Sequence, residues 1–309
     1  MKTLYGYVRD YLKRDVNWIY FSSLFVLLSG VVAWFYSDKQ HLQFIGGGAN
    51  DPLKYFKNLA LYGGTLIGAL LLYIPFAKDK SWTTKPGFWF TVLFAVALYS
   101  FAIYCYWHKE WIKAWTDGPD EIFWLRCSSD IGRIIIISVP VIAWWFLHDR
   151  TDQPLYGFKK TNVKPYLWLL AILLPLIIGA SFTEGFQKMY PMVSKTLNVA
   201  KIDHNKAWYT GVFEFFYGLN YVNTEFFFRG FLILALSRWL GPHIILPVAA
   251  FYVTIHIGKP LGETISSFFG GIILGVLAYR TKSIWGGVLI HVGIAFTMEL
   301  CAAIAKGSF

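Results

Sequence analysis

The chain has 309 residues, of which 56% are hydrophobic and 15% are charged, and its mean hydropathy is +0.47. Soluble domains carry about 25% charged residues, so this composition argues against a soluble protein. The net charge of +10 comes without an arginine-rich tract or a nucleic-acid-binding motif. We therefore exclude nucleic acid as a partner and expect the basic residues to meet membrane lipids through anionic headgroups.

The first predicted element is an amphipathic helix over residues 1–16 that lies in the membrane interface. Its apolar and basic residues fall on opposite helical faces. The apolar face carries Leu4, Val8, Tyr11 and Leu12, and the basic face carries Lys2, Arg9 and Lys13. The apolar run that follows is too long for the hydrophobic region of a cleavable signal peptide.

Nine apolar runs then follow along the chain, and runs near twenty residues predict transmembrane helices. They lie at 17–36, 59–77, 88–107, 133–148, 166–183, 210–238, 243–257, 262–280 and 284–305. We predict an all-α polytopic membrane protein with nine transmembrane helices, or eight if one run is re-entrant. A bacterial inner membrane is the simplest expected location.

The polar character of the spans changes near residue 205. The spans of 17–204 are nearly free of ionisable groups in their middles, whereas the spans of 205–309 carry polar groups at depth. These groups are Glu214, Asn220, Glu225, Arg229, His256, Glu263, His291 and Glu299. A charged residue at bilayer depth costs at least about 2.5 kcal/mol and marks a functional site by default. We predict a functional core over 205–309, with a polar site in its four transmembrane helices.

The residues alone leave several kinds of site open. Glu225 and Arg229 lie four apart on one helical face and can form a salt bridge that only pins two helices. With His256 and His291, Glu225 can instead activate a water for hydrolysis. The same three side chains can also hold a divalent metal such as zinc, although no HExxH-type spacing is present.

Three motifs in the last third of the chain resemble one family. They are "TEFFFRGFL" from Thr224, "YVTIH" ending at His256, and "FFGGIILGVLAYRTKSIWGGVLIH" ending at His291. In this order they resemble the CPBP group of intramembrane proteases, the CAAX-prenyl-protease and bacteriocin-processing (Abi) family. That family carries Glu-Glu-x-x-x-Arg, then Phe-x-x-x-His, then His-x-x-x-Asn or Asp.

The resemblance implies about eight membrane helices around a polar cavity, and a peptidase whose substrate is a membrane-anchored or prenylated peptide or protein. It implies that Glu225 and His256 activate the hydrolytic water and that His291 stabilises the tetrahedral intermediate. Arg229 then keeps Glu225 ionised, and Tyr252 stands where the family has Phe. Both a zinc-dependent and a metal-free glutamate mechanism are described for the family, so no cofactor is certain.

Two positions depart from the family pattern. Thr224 stands where the first glutamate is expected, and Ala295 stands where Asn or Asp is expected. Glu225 can itself serve as the base, and Glu299, two turns after His291, can supply the carboxylate missing at Ala295. Alternatively, the chain is a non-hydrolysing membrane protein that binds a partner or a lipidated peptide. A transporter is a third class, weakened by the lack of an internal repeat.

Overall fold

A computed structural model describes residues 2–46 and 51–307, without the side chains of residues 2, 45 and 46. Residues 1, 47–50, 308 and 309, which belong to the predicted 1–16, 17–204 and 205–309 units, lie outside this described part, as does the Lys2 side chain. The described residues contain no strand. Eight of their helical stretches are long and apolar enough to cross a membrane. The predicted all-α polytopic architecture is therefore confirmed.

Fifteen α-helices account for most of the described chain. Their bounds are Lys2–Arg14 (α1), Trp18–Ser37 (α2), Lys39–Gly46 (α3), Lys54–Tyr73 (α4), Pro86–Tyr104 (α5), Trp107–Trp115 (α6), Gly118–Trp144 (α7), Lys164–Ser181 (α8), Glu184–Met189 (α9), Met192–Ala200 (α10), Lys206–Glu225 (α11), Leu236–Leu240 (α12), Ile245–Thr254 (α13), Leu261–Thr281 (α14) and Trp285–Lys306 (α15). A helix satisfies all its internal backbone hydrogen bonds within one segment, which is why helices suit an apolar chain in lipid.

The amphipathic helix α1 packs against α14. Tyr11 on its apolar face is buried, and Leu4 packs beside Leu274 and Leu277. Asp15, just beyond the helix, accepts a hydrogen bond from Arg280 at the end of α14, at 3.0 Å. The predicted apolar face therefore covers the protein itself; its position in a membrane interface stays a prediction.

The runs predicted at 210–238 and 243–257 form one helical stretch, Lys206–Thr254, which counts as a single candidate span. A π-helix, Phe226–Ala235, joins α11 to α12, and Gly241 follows with a φ of +56°. Only glycine adopts that conformation without strain. The rings of Phe251 and Tyr252 lie 5.1 Å from the ring of Phe228. The chain therefore doubles back after Gly241, and α13 is a ten-residue return arm, too short to cross a bilayer alone.

The span predicted at 133–148 is wrong at its beginning. Helix α7 starts at Gly118, and a π-helix extends it from Trp145 to Asp149. The longer helix contains Arg126, Asp130 and Arg133 near its middle. The prediction that the earlier spans are nearly free of ionisable groups therefore fails at α7, because charged residues there were assigned to a loop.

Candidate active site

Glu225, the last residue of α11, carries a fully buried carboxylate. Its Oε1 atom accepts a hydrogen bond from Nδ1 of His291 on α15, at 3.0 Å. Its Oε2 atom has no hydrogen-bond partner among the described residues and faces Gly287, where a Cβ atom would overlap it. Gly287 thus allows helix α15 to approach close enough for His291 to reach the carboxylate.

Arg229 lies one turn after Glu225, in the buried π-helix. Its Nη1 atom is 3.3 Å from Oε1 of Glu225, as predicted for an ion pair at this spacing. The contact lacks the alignment of a hydrogen bond, since none of the three guanidinium nitrogens has a hydrogen-bond partner in the described structure. The guanidinium also stacks on the ring of Tyr252, 4.1 Å from its centroid. Arg229 therefore offsets the buried carboxylate charge and braces Tyr252.

His291 connects the buried carboxylate to Tyr252. Because an ionised carboxylate only accepts hydrogen bonds, Nδ1 of His291 must carry the proton in its contact with Glu225. In the neutral ring Nε2 then bears a lone pair, and this atom lies 3.3 Å from the hydroxyl of Tyr252. The neutral imidazole therefore presents a proton-accepting atom, held in orientation by Glu225 from behind.

His256 lies in the loop between α13 and α14, outside both candidate spans. Its Nδ1 atom donates to the backbone carbonyl of Tyr252, at 2.9 Å, so Nε2 is again the unprotonated nitrogen of the neutral ring. Burial above all, and next the Lys259 ammonium, lower the pKa of His256 well below its ordinary value. His256 is consequently a second neutral proton acceptor. The prediction has Glu225 and His256 act together on one water; the histidine that Glu225 bonds in the structure is His291.

A cavity of about 340 Å³ opens beside these groups. His256, His291, Tyr252 and Thr224 line it, whereas Glu225 lies behind its wall. The Thr224 hydroxyl donates to the carbonyl of Asn220 at 2.9 Å, within its own helix. The family position at which the first glutamate is expected therefore faces the cavity, and in this chain it carries a hydroxyl instead of a carboxylate.

Glu299 does not join this site, contrary to the prediction of a second carboxylate. Its two oxygens accept the backbone N–H groups of Met192 and Val193 at the start of α10, at 2.8 and 3.2 Å. Ala295 lies in a separate apolar cluster with Phe123 and Phe213. On α15, Ala295 and Glu299 follow His291 by one and two helical turns, and these turns pack against α10 and α11 and do not line the cavity.

The predicted metal ligands do not converge. Within residues 2–46 and 51–307, no group of three His, Cys, Asp or Glu side chains lies close enough to hold a metal ion. The Glu225 carboxylate lies behind the cavity wall, bonded to Nδ1 of His291, whereas His256 and His291 line the cavity itself. The donor set Glu225, His256 and His291 therefore does not fit a metal in this arrangement, and no step below is assigned to one.

Comparison with known families agrees with the motifs. Residues 206–297 match the family model described as type II CAAX prenyl endopeptidase, Rce1-like. This segment is Rce1-like. The match confirms the resemblance to the CPBP intramembrane proteases for this part of the chain, and it contains Glu225, Arg229, Tyr252, His256 and His291. No curated protein and no solved structure matches the chain.

Three charged residues outside the Rce1-like segment line the same cavity: Arg126, Asp130 and Arg133, all on α7. They were missed because the apolar run was read from residue 133 onward. Their spacing of four and then three residues places them on one helical face, and that periodicity is visible in the sequence. Nothing in the sequence, however, indicates that this face meets the Rce1-like helices.

Proposed function

We propose that the protein is an intramembrane endopeptidase of the CAAX-protease type, which hydrolyses a peptide bond of a membrane-anchored or prenylated peptide or protein. The observation that carries the proposal is the hydrogen-bonded series Glu225–His291–Tyr252, which ends on a cavity shared with His256. The Rce1-like segment supports an integral membrane protein of a peptidase family. A bacterial inner membrane remains the expected location.

The arrangement supports a different division of roles from the one that the family resemblance implies. His291, oriented by Glu225, accepts a proton on Nε2 from a water whose oxygen attacks the peptide carbonyl carbon. His256 holds the same water through its unprotonated Nε2. Negative charge develops on the carbonyl oxygen, for which the Tyr252 hydroxyl, 3.3 Å from Nε2 of His291, is the donor. When the C–N bond breaks, the proton passes from Nε2 of His291 to the leaving amine.

Substitution of Glu225 and His291, the hydrogen-bonded dyad, tests this proposal. In purified protein reconstituted in vesicles with a membrane-tethered peptide, we expect Glu225→Gln and His291→Gln each to lower kcat about 100- to 10 000-fold, the usual contribution of a general base. Glu214→Gln is the matched control, because Glu214 lies on the same helix α11 but does not line this cavity. Turnover by both dyad variants at the wild-type rate would sink the proposal.

A second function is favoured by one specific observation: Thr224 faces the cavity at the position where the family has its first glutamate. On this alternative, the protein binds a lipidated peptide or a partner in the cavity without cutting it. The Thr224→Glu variant separates the two. Hydrolysis by Thr224→Glu and none by the wild type would identify a binding protein that has lost its base. Equal hydrolysis by both would show that Glu225 and His291 suffice.

A further inference from the structure

The charged face of α7 carries more positive than negative charge. Nη1 of Arg126 donates to Oδ2 of Asp130 at 2.9 Å, and the amide of Asn220 on α11 donates to Oδ1 at 3.0 Å. Arg133 lies farther from the same carboxylate, at 3.8 Å. One carboxylate thus stands against two guanidinium groups, which leaves one positive charge uncompensated.

Arg133 interacts more weakly with Asp130 than Arg126 does. Its Nε atom is buried and has no hydrogen-bond partner among the described residues, although about 30% of its side chain is exposed and the residue lines the cavity. A guanidinium group offers five donors in a planar fork that matches a carboxylate. Arg133 therefore retains the donors with which an anionic group can be bound.

The position of these arginines favours a role beyond helix packing. They lie on a helical stretch that is a candidate span, Gly118–Asp149, and a charged side chain at bilayer depth costs at least about 2.5 kcal/mol on insertion scales. They line the same cavity as His256 and His291. Lys259, which also lines it, is already paired with Glu263 at 2.6 Å, so among the described residues that line the cavity the cationic side chains left for an anionic ligand are the two arginines of α7.

We propose that Arg126 and Arg133, held by Asp130 and Asn220, form a subsite for a carboxylate of the peptide that enters the cavity. This inference rests on the proposed function for the identity of the ligand as a peptide. Because the subsite and the histidines share one cavity of about 340 Å³, the anion belongs to the molecule whose scissile bond lies at His291. In a peptide that anion is either the C-terminal carboxylate or an Asp or Glu side chain.

The test uses three farnesylated peptides of about ten residues and measures their equilibrium binding. The first has a free C-terminal carboxylate and no acidic residue, the second is its C-terminal amide, and the third is the amide with one glutamate. Binding is measured by fluorescence anisotropy to the His291→Ala protein in phosphatidylcholine nanodiscs, so hydrolysis does not interfere. We expect at least one carboxylate peptide to bind roughly 10- to 100-fold more tightly than the neutral amide.

Substitutions on the protein side locate the effect. In the same His291→Ala background, Arg133→Gln should abolish the difference between charged and neutral peptides, and Arg133→Lys should restore part of it. Arg150→Gln is the matched control, because it removes one arginine charge from an exposed position outside the cavity. Arg150→Gln should leave the difference in affinity between charged and neutral peptides unchanged.

Several results would overturn the subsite. All three peptides binding with equal affinity would do so, as would an equal loss of affinity for every peptide in Arg133→Gln. Affinity that follows the anionic lipid content of the nanodiscs, irrespective of the peptide's charge, would show that a lipid phosphate is bound instead. A carboxylate preference without any turnover by the wild type would keep the subsite and reject the endopeptidase.

Discussion

Gly287 shows how a residue without a side chain can organise the candidate site. A methyl group at this position would overlap Oε2 of Glu225, and Glu225 is fixed from the other side by Arg229. Since His291 follows Gly287 by one helical turn, any displacement of α15 moves the imidazole away from the carboxylate. The glycine in the "GG" of the third family motif therefore has a physical reason to be a glycine.

We expect Gly287→Ala to lower both stability and turnover. Forced overpacking costs about 1–3 kcal/mol, and a lengthened Glu225–His291 contact should reduce kcat at least about tenfold. Thermal unfolding in detergent and peptide turnover measure the two effects.

Gly270→Ala is the control for this substitution, because a Cβ atom at Gly270 in helix α14 meets open space. Alanine should there be neutral or stabilising by up to about 1 kcal/mol, as expected from helix propensity. Unchanged turnover in Gly287→Ala would contradict the role assigned to close approach of α15.

At the scale of elements, helix α10 depends on a carboxylate from another helix. Glu299 on α15 accepts the N–H groups of Met192 and Val193, which have no partner within the first turn of α10. A negative charge at a helix N-terminus also interacts favourably with the helix dipole. Met192 and the adjacent Tyr190 line the cavity. We therefore propose that Glu299 positions one wall of the cavity without acting on the substrate itself.

Glu299→Gln should therefore change substrate binding more than chemistry. It removes the charge and one acceptor, which we expect to weaken the start of α10 by about 1 kcal/mol. KM should rise severalfold while kcat stays near the wild-type value, and hydrogen exchange at the Met192 and Val193 amides should become faster.

The comparison for Glu299→Gln is Glu184→Gln, which neutralises an exposed glutamate in the first turn of α9. It should change neither KM nor the exchange of the α10 amides. A loss of kcat in Glu299→Gln at unchanged KM would instead return Glu299 to the catalytic role that the sequence suggested.

At the scale of the whole molecule, an N-terminal helix holds the loop that carries His256. The hydroxyl of Tyr36, on α2, bonds to the carbonyl of Lys259 and lies 2.7 Å from the hydroxyl of Thr264. Gly258 donates its backbone N–H to the Tyr36 hydroxyl oxygen at 3.2 Å. The Thr264 hydroxyl donates to the carbonyl of His256 at 2.7 Å. Since Tyr36 lies outside the Rce1-like segment, that segment does not fix the His256 loop alone.

Tyr36→Phe should reduce turnover about tenfold while the protein still folds. Without the hydroxyl, the loop between α13 and α14 loses contacts at two backbone groups, and His256 is held less firmly. Tyr20→Phe is the matched control: it removes another hydroxyl of α2, which donates to the carbonyl of Ala69 at 3.0 Å, far along the helix from the loop. A similar loss of turnover in both variants would indicate general destabilisation and not a role for Tyr36 in positioning His256.

Much of the architecture follows from local chemistry that the sequence displays directly. Long apolar runs can satisfy their backbone groups in lipid only as helices, so the all-α membrane fold was predictable. The i, i+4 spacing likewise predicted the contact between Glu225 and Arg229. The spans at 133–148 and 243–257 were less well predicted, because Arg126, Asp130 and Arg133 interrupt the apolarity of one long helix, and a glycine turn shortens the other.

The sequence by itself thus determined the fold class and named Glu225, Arg229, His256 and His291 as candidates. Only the tertiary structure decided which of them touch. It pairs Glu225 with His291, sends Glu299 to the start of α10, and brings Arg126 and Arg133 to the cavity from a distant helix. The physical reason is that spacing along one helix fixes only which residues share a face. The partner of each face depends on how close the helices can pack, and at this site that approach is set by Gly287.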